Sequence, residues 1–215
     1  MALSKVDFNS INVTPAASKA IKFNSSNNGL ETGDVGGSLV LISEQTASSS
    51  GTIQFTSGID STYKKYIIKY INVHPATDNQ DFTVNFRDGS TAYDATKTTT
   101  FFTCHHGEDD SPATLQYSTG SDLAQSTGVQ NLAYAVTNDN DGSVSGTLNL
   151  FDPSSTTFVK HFMANSHAMV DDGGLQNTNF FVAGYCNTTT AIDGVQFKFD
   201  SGNIDAGTFK LYGVS

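Results

Sequence analysis

The chain has 215 residues, a net charge of −10 and only 15% charged side chains, with Arg87 as its single arginine. Without clustered Lys and Arg to neutralise phosphates, nucleic acid is excluded as a partner. Hydrophobic residues reach only 37%, but 15 Phe and 8 Tyr bury large areas per residue, so the length suits one large β domain with a packed core.

The first segment, residues 1–37, is small and polar. It begins without the apolar stretch of a signal peptide, and nowhere does the chain hold the roughly 18 successive apolar residues of a membrane helix. The expectation is therefore a protein made in a cytosol, with no membrane insertion. Residues 19–23 form one short strand-like run, between turn or linker chemistry at 24–29 and 33–37. Such a segment builds no core alone. It is predicted to be an extended N-terminal arm that docks onto the main domain or onto another molecule, with Ile11, Val13, Ile21 and Phe23 as its partner-binding residues.

Residues 38–215 then read as one domain of short strands. The predicted strands are 39–42, 53–55, 63–73, 82–86, 98–106, 115–117, 132–136, 148–151, 158–163, 180–186, 195–199 and 209–214. The run 63–73 is the densest in Ile and Tyr. Tyr63, Ile67, Tyr70 and Ile71 also fit a helical spacing, but β-branched and aromatic residues pack better on a pleated surface, and no capping box precedes them. Apolar on both faces, it is expected mid-sheet. Asp88-Gly89, Asp141-Gly142, Asp193-Gly194 and Ser201-Gly202 are predicted hairpin turns. Together these features predict an all-β fold, a two-sheet antiparallel sandwich of jelly-roll type.

Chemistry-bearing residues are few. Cys104 and His106, alternate residues on one strand, share a face and are weak metal-ligand candidates, ahead of an acidic loop at 108–110. Asp139 and Asp141 precede Gly142 as in a calcium loop, but Thr137 and Leu148 stand where that loop needs carboxylates, and a turn explains the same residues. His161 and His167 lie near Asp171 and Asp172, without a nucleophile or phosphate loop to accompany them. No carboxylate pair is marked out for glycoside hydrolysis. The expectation is a non-enzyme with no cofactor. Cys104 and Cys186 are expected to be free rather than paired.

Several phrases are more specific than composition: residues 19–26, 55–63, 71–78, 150–157 and 201–213. In this order, over nearly the whole chain, they resemble a family of small virion proteins of tailed bacteriophages, such as marine phages of cyanobacteria. The resemblance implies a structural role, as a tail-fibre-like or host-contacting appendage or as a protein decorating the capsid. It transfers no catalytic residue. It also implies other virion proteins as partners through the arm, a homo-oligomer (a trimer by analogy) and host-surface glycan as a possible contact. A free carbohydrate-binding module is the alternative from another class.

Overall fold

The structure, a computed structural model, describes residues 19–26, 28–33 and 39–215. Among them are fourteen strands and no helix. Two short strands, β1 (Ala20–Phe23) and β2 (Leu30–Gly33), belong to a unit separate from the compact body Leu39–Val214. The body holds β3 (Leu39–Ser50), β4 (Ile53–Phe55), β5 (Lys65–Pro75), β6 (Gln80–Arg87), β7 (Lys97–Gly107) and β8 (Ala113–Tyr117). These are followed by β9 (Gln130–Val136), β10 (Val144–Phe151), β11 (Lys160–Asp171), β12 (Leu175–Cys186), β13 (Gly194–Phe199) and β14 (Ile204–Val214).

Eight of these strands make two antiparallel four-stranded sheets, in the orders β3-β14-β5-β10 and β4-β13-β6-β9. Early strands pair with late ones in both sheets, which is jelly-roll connectivity. The other four body strands arrive as two inserted hairpins, β7-β8 after β6 and β11-β12 after β10. They lengthen the first sheet to eight strands, β3-β14-β5-β10-β11-β12-β7-β8. One residue pair, Val170 with Val136, joins β11 to β9 and makes the two sheets a single hydrogen-bonded surface folded on itself.

The core lies between the sheets and is built from rings. Tyr70 of β5 and Phe209 of β14 face Phe82 of β6 and Phe197 of β13, with centroids 5.3 to 6.3 Å apart. Phe86 and Phe162 make a second contact across the gap at 4.8 Å. All six rings are fully buried. Spacings of this order suit tilted and edge-on ring pairs, which add to the area they bury.

Strand β5 lies mid-sheet between β14 and β10, and its inner residues Tyr66, Ile68 and Tyr70 are fully buried. On the outer face Lys65, Ile67 and Lys69 are only half-buried. The alternation then slips at Asn72, whose φ of 50° marks a bulge against β14, and Val73 turns inward one residue late. Tyr70 has one polar atom to satisfy. Its hydroxyl reaches past β10 to Ser166 Oγ on β11, and it crosses the neighbouring strand at Gly146. A Cβ there would stand 2.7 Å from the Tyr70 ring and 2.8 Å from its hydroxyl.

Three expectations change. The first body strand, predicted to end at residue 42, runs on through the serine-rich stretch after residue 46, which is the second half of β3. It is an edge strand with solvent on much of its surface, so backbone pairing to β14 suffices without apolar side chains. The predicted hairpin turns Asp88-Gly89, Asp141-Gly142, Asp193-Gly194 and Ser201-Gly202 each lead from one sheet to the other instead. Gly89 and Gly202 do supply the positive φ expected of them, at 87° and 76°. The segment after residue 23, predicted to hold no further strand, contains β2.

Replacing Gly146 by Ala is expected to destabilise the body by about 1–3 kcal/mol through overpacking against Tyr70. Ile68→Ala is expected to cost about 2–5 kcal/mol as a core truncation. Lys64→Asp, at an exposed ion pair with Asp152, is expected to change stability by no more than about 1 kcal/mol. Urea denaturation of the three variants measures this ranking.

Candidate functional site

Strands β1 and β2 form a hairpin whose two faces differ. The register Ile21↔Thr32 and Phe23↔Leu30 puts three large apolar side chains on one face. The intervening pair Lys22 and Glu31 forms an ion pair at 3.6 Å on the other. Asn24 closes the turn, its backbone N–H donating to Gly29 O at 2.9 Å and its Oδ1 accepting from Asn28 N at 3.2 Å. Ile21, Phe23 and Leu30 are exposed, Phe23 by 71%. The other two proposed arm residues, Ile11 and Val13, lie outside the described residues.

The weak metal candidates fall in two separate places. Cys104 and His106 do share the outer face of β7, opposite Asn179 and Asn177 of β12. His106 Nε2 lies 3.2 Å from Asp110 Oδ1. Asp139 and Asp141 sit in the β9–β10 connection, where Asp139 O accepts from Gly142 N at 2.7 Å in a tight turn. That turn borders an open polar depression of about 460 Å³ lined by Asn72, His74, Asp141 and Asp205. His74 bonds Asp139 O through Nε2 at 3.1 Å and stands 3.9 Å from Asp205 Oδ2. Among the described residues, no three His, Cys, Asp or Glu side chains are placed to hold one ion.

The possible acid–base residues are engaged separately. His161 stacks edge-on against Tyr185, His167 bonds the Asn177 side chain, and Asp171 Oδ1 closes the β11–β12 turn by accepting from Gly174 N at 3.0 Å. Among the described residues Asp81 is the one carboxyl pushed above its usual range, by burial first and then by Asp200. It accepts from Ala135 N and Asn131 Nδ2, pinning a bulge in β9 where Ala135 takes φ of 50°. That is a structural use. The two cysteines are free, Cys104 exposed on the outer face and Cys186 buried on the inner one, so they face opposite sides of the sheet.

Two features were not legible in the sequence. One is a groove on the outer face of the eight-stranded sheet, about 380 Å³ between Phe102, Phe181, Met163 and Lys65, continuous with a second hollow of about 440 Å³ beside His161 and Tyr185. Its residues come from β5, β7, β10, β11 and β12, and only the register collects them. The other is a buried row on the inner face, where Lys160, Cys186 and Lys97 stand side by side on three adjacent strands. Lys97 Nζ donates to Asn85 Oδ1 at 2.6 Å and Ala95 O at 2.7 Å, and Lys160 Nζ donates to Thr188 O at 3.0 Å. Among the described residues neither has a carboxylate in ion-pair contact. A lysine with a depressed pKa can serve as a nucleophile, but both side chains are fully buried; Lys97 ties its strand to β6 and to the loop at Ala95, and Lys160 holds the loop at Thr188.

Burial lowers Lys97 from its ordinary 10.5 to about 8 and raises the Cys186 thiol from 9.0 to about 12. Lys160 is lowered for the same reason. A lysine that binds its proton less tightly when folded makes stability rise with pH, starting at its folded pKa. The thiol acts in the opposite sense above its unfolded value. Stability is therefore expected to increase by about 1 kcal/mol from pH 7 to 9 and to level off or fall beyond that. Urea midpoints across this range check it, and Lys97→Met should remove most of the rise.

No known family model matches the chain, and no curated protein is significantly similar to it.

Proposed function

We propose that this chain is a non-enzymatic structural protein of a tailed-phage virion, an appendage held on the particle by its N-terminal segment. The observation that carries this reading is the β1-β2 hairpin. A lone two-stranded hairpin is marginally stable in water, and this one presents Ile21, Phe23 and Leu30 together on an uncovered face. A second protein surface that covers this face supplies the second layer a lone hairpin needs. The body supports the reading from the other side. Its inner-face rings are spent on packing two sheets, and its buried lysines, Lys97 and Lys160, are bonded internally rather than aimed into an open cleft. The jelly roll itself hosts many roles, so it adds compatibility and not identity. The resemblance to small phage virion proteins supplies the setting, and a homotrimer follows from it by analogy.

Placement on the tail is the leading form, and decoration of the capsid is the rival. A reconstruction of the particle decides between them, since density confined to the capsid lattice removes the tail form. The attachment role has its own test. A chain lacking residues 1–37 is expected to keep the thermal transition of the full chain but to be missing from purified particles. Phe23→Asp in the full chain should also prevent incorporation. Unchanged incorporation of both variants would overturn the anchoring role, and native mass spectrometry reads the oligomer directly.

A further inference from the structure

We propose that the groove on the outer face of the eight-stranded sheet binds an anionic polysaccharide lying across β10, β11, β12 and β7. This deepens the host-contacting side of the reading above by naming a ligand class and a place.

The groove follows from the register. Asn149, Met163, Ala183 and Thr100 form one row across the four strands. Ala183 is the small member, so it becomes the floor. The adjacent row raises one wall, where Phe181 and Phe102 stack with centroids 4.7 Å apart and an interplanar angle of 10°. Phe151, with Tyr185 beside His161, raises the other. Four strands span about 14 Å at the usual spacing, room for a short stretch of an extended chain. Met163 is 54% exposed and Phe102 39%, so this face offers ring and thioether surface to solvent in the middle of a sheet.

Its position decides what kind of ligand fits. Backbone groups here are already paired to neighbours on both sides, so a peptide cannot add as a strand. Recognition must come from side chains. Ring faces suit the C–H faces of pyranoses, and amides suit hydroxyls. Asn165 is pre-set for this: its Nδ2 donates to Asn179 Oδ1 at 2.9 Å and to Phe180 O at 3.2 Å, which leaves its Oδ1 as an acceptor. Asn149 makes no side-chain hydrogen bond among the described residues, so both its groups are available.

Charge selects the anionic class. The chain has 21 Asp and Glu against 11 Lys and Arg, yet among the described residues no carboxylate lines either hollow, while Lys65 does. Lys65 has no acid partner among the described residues; its Nζ lies 5.5 Å from the Phe151 ring centroid. Lys69 repeats the arrangement over Tyr212 on the same face. At physiological salt the long-range repulsion of an anionic polymer is screened within about 8 Å, whereas contact with Lys65 is not.

Calorimetric titration of the full chain with hexamannuronate, and with cellohexaose as the uncharged control, tests the assignment. The uronate hexamer is expected to bind about tenfold more tightly than the neutral one, the scale of one charge-assisted hydrogen bond. Lys65→Met should erase that preference, and Phe181→Ala should weaken both ligands. Met163→Glu sits at an exposed position and keeps the fold, so its loss of uronate binding separates recognition from misfolding. No binding of either hexamer, or binding indifferent to Met163→Glu, would overturn the proposal. So would concentration-dependent dimerisation abolished by Met163→Glu, which would make the groove a self-interface. Particle incorporation of Met163→Glu is scored separately. Normal incorporation without glycan binding in the native chain sinks only this proposal, and glycan binding by a chain absent from particles sinks only the virion role.

Discussion

The contact between Tyr70 and Phe209 on one sheet and Phe82 and Phe197 on the other is the constraint on which the rest depends. Few residues of this chain are apolar, so the two sheets must be held by a small number of large side chains. That requirement propagates outward. Tyr70 carries a hydroxyl into a dry interior, where an unpaired group is expensive, and Ser166 satisfies it. For the ring to reach that far, the strand between must be bare, and residue 146 is glycine. Burial accordingly holds the Tyr70 phenol above its ordinary pKa. One ring thus fixes the residue types at matching positions on three strands.

The inserted hairpins β7-β8 and β11-β12 use this frame for another purpose. They extend only one sheet, so that sheet has more surface than the four-stranded one can cover. The inner side of the extension is closed by Phe101, Phe180 and Tyr134 and by the buried Lys97–Cys186–Lys160 row. Its outer side stays open and carries the groove. Candidate functional surface therefore lies on a rigid sheet face and on a separate small hairpin, rather than in the loops. The acidic loop at the β9–β10 connection, with the best calcium-like pattern in the chain, is a turn bonded to itself and to His74.

Strand existence was legible because alternation and ring content are local properties. All twelve predicted body strands have a counterpart, and β5 lies mid-sheet as its two apolar faces imply. Strand length was less legible. The polar half of β3 and the Asn165-Ser166-His167 stretch of β11 are held by backbone pairing to neighbouring strands rather than by a run of apolar side chains. β2 was missed for a related reason. Leu30-Glu31-Thr32-Gly33 has one apolar residue, and it is a strand because β1 pairs with it.

By itself, the sequence determined that this protein is a β-sandwich with an acidic surface, a ring-built core and a separate N-terminal segment. Those follow from periodicity, composition and turn chemistry, which act over a few residues. Only the tertiary structure decided which strands are neighbours, since a glycine turn reverses the chain without saying whether the next strand joins the same sheet. Pairing is settled by long-range register and ring packing. It therefore also decided that Phe102, Phe151, Met163 and Phe181, far apart along the chain, line one groove, and that Cys104 and Cys186 face opposite sides of a sheet.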